Sequence, residues 1–415
     1  MNHLCAVPYI YTLEITAACN ARCVGCGNVF PRSDAHITLD NLHHVLERIS
    51  PYAEMFRVTG GEPTLSPVFA ETLRALDVLG KPIVVFTNGF WDRPRSVIEP
   101  LRQCKNLDGI LVSLHGHSAS AHQAFTGRGD LSTVLASVQQ ASDAGIVVNT
   151  NTILTRRNID HMAEVVELAT QAGAQVVAFS RYYGVPVPGL TDLPAEAFKS
   201  AVQQVAGFRA AGKAVKFNNN IPLCLGGELT QACPAGDTHC TISPDCKVRL
   251  CNHSPYEVGD ILEEPIARIW QSDRVQWWRE QIPPMCKQCA AFALCKGGCR
   301  ANAWANGQST DPLACRPYAA MPKLPLPVRH LLYSEALPQA SFSLHKESFG
   351  YVLINRSQII KVAHGAKPLI DTVVEGNATL SKIADVFGQE ALDFIGLLYD
   401  RHMVELTPIR PVTPV

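Results

Sequence analysis

The first half of this 415-residue chain predicts an α/β fold that is built on a parallel sheet or barrel. Short apolar segments alternate there with stretches that have the helical spacing of apolar residues, and Gly145 and Gly173 follow two of these stretches, as C-terminal helix caps would. The predicted strands are residues 10–15, 55–59, 83–86, 109–114, 146–153 and 176–180. Because parallel strands place their carboxyl ends on one side, we expect functional residues at those ends.

The helices between these strands are predicted from apolar spacing. The first should begin near Thr38 or Asp40, either of which can cap a helix, and it should bury four apolar residues. These are Leu42, Val45, Leu46 and Ile49. Further helices are expected at residues 68–79, 131–144 and 161–172.

Composition limits the classes of partner and compartment. The net charge of −1 gives no basic field for a nucleic acid, and no apolar segment is long enough to span a membrane. The N-terminus has no signal-peptide pattern, so we expect a cytoplasmic protein. Fifteen cysteines in a reducing compartment favour metal sites over disulfides, although Cys5 and Cys104 stand alone and are interpreted as ordinary thiols.

Three cysteines follow the first predicted strand at close spacing. Three residues separate Cys19 from Cys23, and two separate Cys23 from Cys26. A 4Fe-4S cluster usually takes four thiolates, so three would leave one iron open to another ligand. An open coordination position is typical of catalytic metal sites. Taken alone, the spacing also allows a zinc site or unrelated core thiols.

The triplet, together with Gly60-Gly61-Glu62-Pro63 after the second predicted strand, resembles the CxxxCxxC and GGEP motifs of the radical SAM superfamily. The resemblance implies a 4Fe-4S cluster whose open iron binds S-adenosylmethionine (SAM), and a 5′-deoxyadenosyl radical that abstracts hydrogen from a substrate. It also implies a partial (β/α)6 barrel over residues 8–215. By position in the motifs and at the strand ends, the residues implied to bind SAM are Gly60, Gly61, Glu62, Pro63, Asn88, Ser113 and Asn151.

Local alternatives exist for these polar and glycine residues, namely a plain Gly-Pro turn, a strand-ending turn at Asn88 and a capping or packing role for Ser113. One departure from the family pattern is Gly25. The family often has an aromatic residue near the adenine at this position, so other groups must pack the adenine here.

A second set of cysteines resembles the SPASM extension, which we place at residues 216–320. Its CxxCxxxxxCxxxC core is matched completely, and Cys246 stands where the pattern usually has glycine. The resemblance implies two auxiliary 4Fe-4S clusters. The nearer is assigned Cys233, Cys251 and Cys299, with Cys240 or Cys246 as the fourth ligand or with an open site. The farther is assigned Cys286, Cys289, Cys295 and Cys315. Cys224 is interpreted as structural, and CxxC spacing alone would also suit zinc.

The chain beyond the cysteines predicts a separate domain. Residues 322–327 predict a stiff proline-rich linker. Beyond it we expect a strand at 349–355, helices at 366–374, 381–387 and 390–400, and a closing strand at 403–406, with Thr379 or Ser381 as a helix cap. This order resembles a PqqD-like winged-helix α+β domain at residues 340–408, a class that binds leader peptides by adding a strand to a sheet edge. A winged-helix cap without a ligand is the alternative.

Together these features predict a radical SAM enzyme that oxidatively modifies a ribosomally made precursor peptide, by crosslinking or by another change such as epimerisation. A flavodoxin- or ferredoxin-type electron donor is expected. No residue is identified as the catalytic acid or base, and His253 is interpreted as a surface or hydrogen-bonded histidine. The alternatives are a formylglycine maturase, a tetrapyrrole-modifying enzyme, and a non-catalytic iron–sulfur or peptide-binding protein. The formylglycine maturase is disfavoured because Asn252 follows Cys251, where those enzymes commonly have an aspartate that can accept a proton.

Overall fold

The computed structural model describes residues 3–27, 29, 32–128, 130–218, 220–227, 232–320 and 335–408. The chain divides into two compact units, Val7–Pro322 and the combination of Met1–Ala6 with Lys323–Val415. The predicted linker at residues 322–327 lies outside the described residues. No described helix is both long and apolar enough to cross a membrane.

The described residues of the large unit form a sheet of ten strands. They are β1 Ile10–Glu14, β2 Met55–Thr59, β3 Ile83–Thr87, β4 Leu107–Ser113, β5 Val148–Ile153, β6 Val176–Ser180, β7 Val215–Phe217, β8 His239–Ile242, β9 Lys247–Arg249 and β10 Glu257–Asp260. Their order is β10-β9-β8-β1-β2-β3-β4-β5-β6-β7. The strands from β1 to β7 pair in parallel, β8 pairs in parallel with β1, and β9 and β10 add antiparallel pairs. The cysteine-rich region therefore extends the same sheet.

Helices connect the strands in the alternation that the sequence predicts. They are α1 Leu39–Ile49, α2 Phe69–Asp77, α3 Pro94–Gln103, α4 Ala119–Thr126, α5 Leu131–Asp143, α6 Met162–Gln171, α7 Ala195–Ala210, α8 Leu223–Gly226, α9 Ile266–Trp270, α10 Asp273–Glu280, α11 Phe292–Cys295 and α12 Arg300–Ala305. Thr38 caps α1 by accepting the amide of Asn41, and the four predicted apolar residues of α1 are buried. Gly145 and Gly173 have positive φ just past α5 and α6, which confirms their predicted place.

In the described part of the large unit, helices α3, α4 and α7 were not predicted, and neither were the short helices α8 to α12 of the cysteine-rich region. Prolines stand at position 94 and inside α3 at position 100, and both obscure a helical pattern. Helix α4 has only eight residues, too few for a clear apolar period.

The second unit is an α+β structure with its own core. Strands β12 Ser343–Glu347, β13 Gly350–Asn355 and β14 Gln358–Ala363 form an antiparallel sheet in that order, and β11 Ala336–Ala340 pairs with β15 Val404–Pro408. Helices α13 Lys367–Glu375, α14 Leu380–Phe387 and α15 Gln389–Asp400 bury Ile370, Ile383 and Ile395 in this core. Thr379 caps α14. The predicted strands and helices of this segment are confirmed.

A buried ion pair joins the first strand to the cysteine-rich region. The Arg249 guanidinium at the end of β9 contacts the carboxylate of Glu14 at the end of β1, and both side chains are almost fully buried. Arg249 also donates to the carbonyls of Asn252 and Ser254. Burial raises the pKa of Glu14 to about 7, although the Arg249 charge opposes that rise. The pair fixes the loop after Cys251 relative to the loop after β1.

Replacing Glu14 by glutamine should destabilise the large unit. At pH 8, above the raised pKa of Glu14, Glu14→Gln removes the negative charge beside a buried cation, and we expect a loss of about 3 kcal/mol or more. Tryptophan fluorescence during denaturation measures this, since all five tryptophans lie in the large unit. The exposed pair of Arg74 with Glu71 provides the control Glu71→Gln, which should cost less than about 1 kcal/mol. Equal losses in the two variants would contradict the prediction.

Candidate active site

The cysteine triplet lies on the loop that leaves the carboxyl end of β1. Two backbone hydrogen bonds hold this loop to the end of α4: the amide of Arg22 donates to the carbonyl of Thr126 (3.0 Å), and the amide of Val24 donates to that of Phe125 (2.8 Å). The loop is therefore attached to the sheet through a neighbouring helix as well as through its own strand.

The three thiols lie within electrostatic range of one another. Burial raises the pKa of Cys23 to about 12, and the neighbouring charges of Cys26 and Cys19 add to that rise. Burial also raises the pKa of Cys19. No disulfide joins any of the fifteen cysteines, all of which lie in the described part of the chain. Such buried neighbouring thiols would be thiolates only beside a compensating positive group, as iron ligation provides.

The two glycines after β2 pack directly against the backbone that leads to Cys19. The amide of Gly61 donates to the carbonyl of Thr16, and the amide of Glu62 donates to that of Ala18, both at 2.7 Å. A Cβ on Gly61 would lie 2.1 Å from the Ala18 oxygen, and one on Gly60 would lie 2.4 Å from the Thr16 oxygen. Gly60 also has a φ of +146°. Only glycine fits at these two positions.

The carboxylate of Glu62 is fully buried and connects this turn to the end of β3. It accepts hydrogen bonds from the hydroxyls of Thr64 and Thr87 (2.7 Å each) and from the amide of Asn88 (2.6 Å). Burial raises the pKa of Glu62, while these hydrogen bonds oppose the rise. Pro63 begins the short 3-10 turn Pro63–Leu65 that follows. The Glu62 side chain thus positions the strand ends around the triplet.

The other residues predicted to bind SAM lie at the same end of the sheet. The amide group of Asn88 donates to Asn20 (2.8 Å) and lies 3.9 Å from the sulfur of Cys19. Ser113 and Asn151 face each other in register on β4 and β5, and Asn151 accepts a hydrogen bond from Ser180 (2.6 Å). The structure therefore brings Asn88 next to the triplet and places Ser113 beside Asn151.

An aromatic ring packs against Gly25 from another part of the chain. A Cβ on Gly25 would lie 2.0 Å from Cε2 of Tyr182, which follows β6. Burial raises the pKa of Tyr182, and the charge of Cys26 adds to the rise, which places the ring near the third cysteine. Sequence reasoning missed Tyr182, and the only signal was the glycine at position 25.

His253 connects the triplet loop to the cysteine-rich region. Its Nδ1–H donates to the carbonyl of Gly27 (3.2 Å), and its backbone amide donates to the sulfur of Cys251 (3.4 Å). Its ring lies against Tyr183 with 4.4 Å between centroids. Burial lowers the pKa of His253 to about 4. His253 is thus hydrogen-bonded, one of the two roles expected for it, and it stands between two groups of cysteines.

Cys233, Cys251 and Cys299 form one of these groups. The pKa of Cys251 rises to about 12 through burial and then through the charge of Cys233, and the pKa of Cys299 is raised for the same two reasons. The buried Asp311 accepts the amide of Cys299 (2.6 Å) and a guanidinium hydrogen of Arg181 (2.7 Å). Asp311 and Arg181 had no sequence signal, because their pairing depends on distant segments.

Cys240 and Cys246, the two candidates for the fourth ligand of this group, both lie in the described part of the chain, and no electrostatic contact among the described residues couples either of them to Cys251 or Cys299. Cys240 stands opposite Tyr11 in the register of β8 with β1 and is fully buried in the hydrophobic core. Cys246 lies in the turn between β8 and β9 with a φ of +66°. That left-handed conformation explains why the pattern usually has glycine there. The choice between Cys240, Cys246 and an open site for the fourth ligand therefore stays a prediction.

Four of the other cysteines line one cavity. Its lining includes Cys286, Cys289 and Cys295, three of the four residues predicted for the farther cluster, and also Cys224. Cys315, the predicted fourth, lies beside Cys224, and its amide donates to the Cys224 sulfur (3.3 Å). The described residues contain no three His, Cys, Asp or Glu side chains grouped around a single metal ion. Thiolates of a 4Fe-4S cluster each bind a different iron, so they do not converge in that way.

Comparison with known families identifies two regions. Residues 13–169 match the radical SAM superfamily, and residues 233–290 match SPASM, the iron-sulfur cluster-binding domain. The protein is a radical SAM enzyme. The match to SPASM identifies the cysteine-rich extension as well.

Relatives and solved structures extend this similarity over most of the radical SAM enzyme. An AdoMet-dependent heme synthase from Methanosarcina barkeri is 27% identical over 75% of this chain and 96% of that protein. The mycofactocin maturase MftC from Mycobacterium tuberculosis is 26% identical over 73% of this chain and 81% of its own length. The structure of Streptococcus suis SuiB bound to precursor peptide SuiA has a TM-score of 0.62 at 14% identity, and it covers 75% of this chain and 76% of SuiB. This last likeness shows the same fold.

The radical SAM domain implies a 4Fe-4S cluster with SAM, and the SPASM domain implies auxiliary iron–sulfur clusters. The chain fits these groups. It offers free, mutually close thiols, and glycines at positions 60 and 61 where a Cβ would collide with the backbone that leads to the triplet. Three separate thiol groups are present, one for each expected cluster.

Adding a methyl group at position 61 should displace the triplet loop. Gly61→Ala would place Cβ against the Ala18 carbonyl, and relief of that contact must move the backbone before Cys19. We expect a cost of about 1–3 kcal/mol and a loss of about four iron atoms per reconstituted chain. Iron analysis and SAM binding measure this. Gly207→Ala, where Cβ meets nothing within 4 Å, is the control and should keep both. Full iron content in Gly61→Ala would contradict the prediction.

Proposed function

We propose that this radical SAM enzyme oxidatively modifies a ribosomally made precursor peptide. The observation that carries the proposal is the combination of three thiol groups in one unit with a separately folded α+β unit in the same chain. Relatives add support: MftC is named a maturase, and SuiB was solved with a precursor peptide. In this proposal residues 8–215 are the catalytic barrel, 216–320 the auxiliary-cluster region and 340–408 the peptide-binding domain.

The site at the end of the parallel strands would hold the first cluster and SAM. Cys19, Cys23 and Cys26 would bind the cluster, and the residues assigned to SAM are Gly60, Gly61, Glu62, Pro63, Asn88, Ser113 and Asn151. When bound, these groups supply a 5′-deoxyadenosyl radical that abstracts a hydrogen atom from the substrate. Tyr182 takes the role of the aromatic residue that this chain lacks at position 25, since its ring fills the space beside Gly25.

The nearer auxiliary site supports an oxidative outcome. A substrate that has lost a hydrogen atom must lose a further electron before it is a stable crosslinked product. A single residue connects this site to the triplet loop, because His253 donates hydrogen bonds to the carbonyl of Gly27 and to the sulfur of Cys251. The other cysteines of the site are Cys233 and Cys299. A cluster there would accept that electron, and a flavodoxin- or ferredoxin-type protein would supply the electron that starts each turnover.

The α+β unit would bind the leader segment of the peptide. Within the described residues, its three-stranded sheet has β12 and β14 at its edges. Edge strands present backbone amides and carbonyls to which a peptide can add as a further strand. We propose a PqqD-like winged-helix function for this unit. Because the unit is tethered to the enzyme, a bound peptide reaches a high effective concentration at the active site.

Tetrapyrrole modification is the second candidate function. The identity to a heme synthase over 96% of that protein's length favours it. The α+β unit is the feature that distinguishes the two candidates in this chain, since a small tetrapyrrole needs no leader-binding domain.

Incubation of the reconstituted enzyme with SAM and a strong reductant tests the proposal. One reaction contains the peptide encoded beside its gene, and another contains an iron tetrapyrrole. We expect 5′-deoxyadenosine formation and a peptide that is lighter by two hydrogens, or deuterium uptake from heavy water without another mass change if the reaction is epimerisation. Cys26→Ala should abolish both changes. Modification of the tetrapyrrole alone, with an unmodified and unbound peptide, would overturn the peptide assignment.

Truncating Tyr182 should weaken SAM binding. Tyr182→Ala removes the ring beside Gly25 and Cys26, and we expect about a tenfold loss of affinity, the size of one aromatic packing contact. Equilibrium binding of SAM to the cluster-loaded enzyme measures it. Tyr182→Phe keeps the ring and loses only the hydrogen bond to the Val185 carbonyl, so it should bind SAM nearly as tightly as the wild type. Unchanged affinity in the alanine variant would show that the ring does not contact SAM.

A further inference from the structure

The cavity of the farther auxiliary site is lined by four thiols, and the fourth is not the one expected. Cys224, Cys286, Cys289 and Cys295 all line it. Ala314 and Arg316 line it as well, whereas Cys315 between them does not. Four thiols around a mostly apolar cavity match the ligand requirement of one 4Fe-4S cluster.

The segment that carries Cys224 is bound to the other thiols of the cavity. Cys224 lies in α8, and the amide of the preceding Leu223 donates to the sulfur of Cys295 (3.3 Å). The amide of Tyr318 donates to the sulfur of Cys289 (3.3 Å), and the Tyr318 hydroxyl donates to the carbonyl of Leu223 (3.3 Å). Hydrogen bonds from backbone amides to sulfur are the contacts that stabilise cluster thiolates. Thus α8 is held in place by this thiol group.

Cys315 contacts Cys224 rather than the cavity. Its side chain is exposed, and its thiol donates to the carbonyl of Cys224 (3.0 Å). Its backbone amide donates to the sulfur of Cys224 (3.3 Å). This is the same relation that Leu223 has to Cys295 and Tyr318 has to Cys289, so Cys315 stands where a hydrogen-bond donor to a ligand sulfur would stand.

We propose that Cys224 is the fourth ligand of the farther auxiliary cluster and that Cys315 supports it through the amide-to-sulfur hydrogen bond. On binding iron, the Cys224 thiol releases its proton, and no electron is transferred. The assignment replaces the expectation that Cys315 ligates and that Cys224 is structural. It concerns only the cluster, so it does not depend on which substrate the enzyme modifies.

Iron analysis and electron paramagnetic resonance of reconstituted full-length variants test the assignment. The triplet is replaced by alanines in every sample, so that only the auxiliary clusters give signals. We expect Cys224→Ala to lose about four iron atoms per chain and one of the two signals. Cys315→Ala should keep both. Cys104→Ala, which removes a buried thiol that hydrogen-bonds to Asp77, is the control and should resemble the parent.

A serine variant separates ligation from folding. Cys224→Ser offers an oxygen ligand in nearly the same volume, so we expect it to retain iron while the signal and midpoint potential of one cluster change. The surviving signal of the nearer cluster shows that each variant is folded. The proposal is overturned if Cys315→Ala loses the cluster while Cys224→Ala keeps it. It is also overturned if each single variant keeps the cluster and only the double variant loses it, because then neither thiol is the specific ligand.

Discussion

The buried contact between Glu14 and Arg249 is the interaction on which the arrangement of the cysteines depends. Glu14 ends the strand from which the triplet loop departs, and Arg249 ends the strand that leads to Cys251. A charge in this environment is costly unless its partner is present, so the two strand ends can be buried only together. The contact therefore fixes the distance between the initiating site and the nearer auxiliary site as part of folding.

Two further carboxylates have the same organising role at a smaller scale. Glu62 accepts hydrogen bonds from the turn after β2 and from the end of β3. Asp311 accepts hydrogen bonds from Arg181 and from the amide of Cys299. In each case one buried side chain satisfies groups from separate segments, which water cannot reach. The cysteine loops have no regular secondary structure. The carboxylates of Glu62 and Asp311 therefore accept hydrogen bonds from backbone amides that would be satisfied within a helix or a strand elsewhere.

Features set by residues near one another in the sequence could be predicted, whereas contacts between distant segments could not. Apolar periodicity predicted strands β1 to β6 of the parallel sheet and helices α1, α2, α5 and α6, but it missed the parallel strands β7 and β8. Spacing alone placed the triplet and the Gly-Gly turn after strands. The roles of Tyr182 and Asp311 were not predicted, because a contact between distant segments produces no periodic pattern in the sequence. Spacing also left Cys240, Cys246 or an open site for the fourth ligand of the nearer cluster, and the pairing of β8 with β1, which places Cys240 opposite Tyr11, could not be read from that spacing. Sequence spacing gives the reach of a ligand but not the face of the strand on which it lies.

The packing of Tyr182 against Gly25 has a consequence for how such chains can diverge. The two positions share one volume, so a larger residue at position 25 is compatible only with a smaller residue at position 182, and the reverse. A substitution at one of these positions, with the other unchanged, would create a steric clash or a void next to the third cysteine. Natural variants should therefore show the two positions changing as a pair, and a chain with an aromatic residue at the first should carry a small residue at the second.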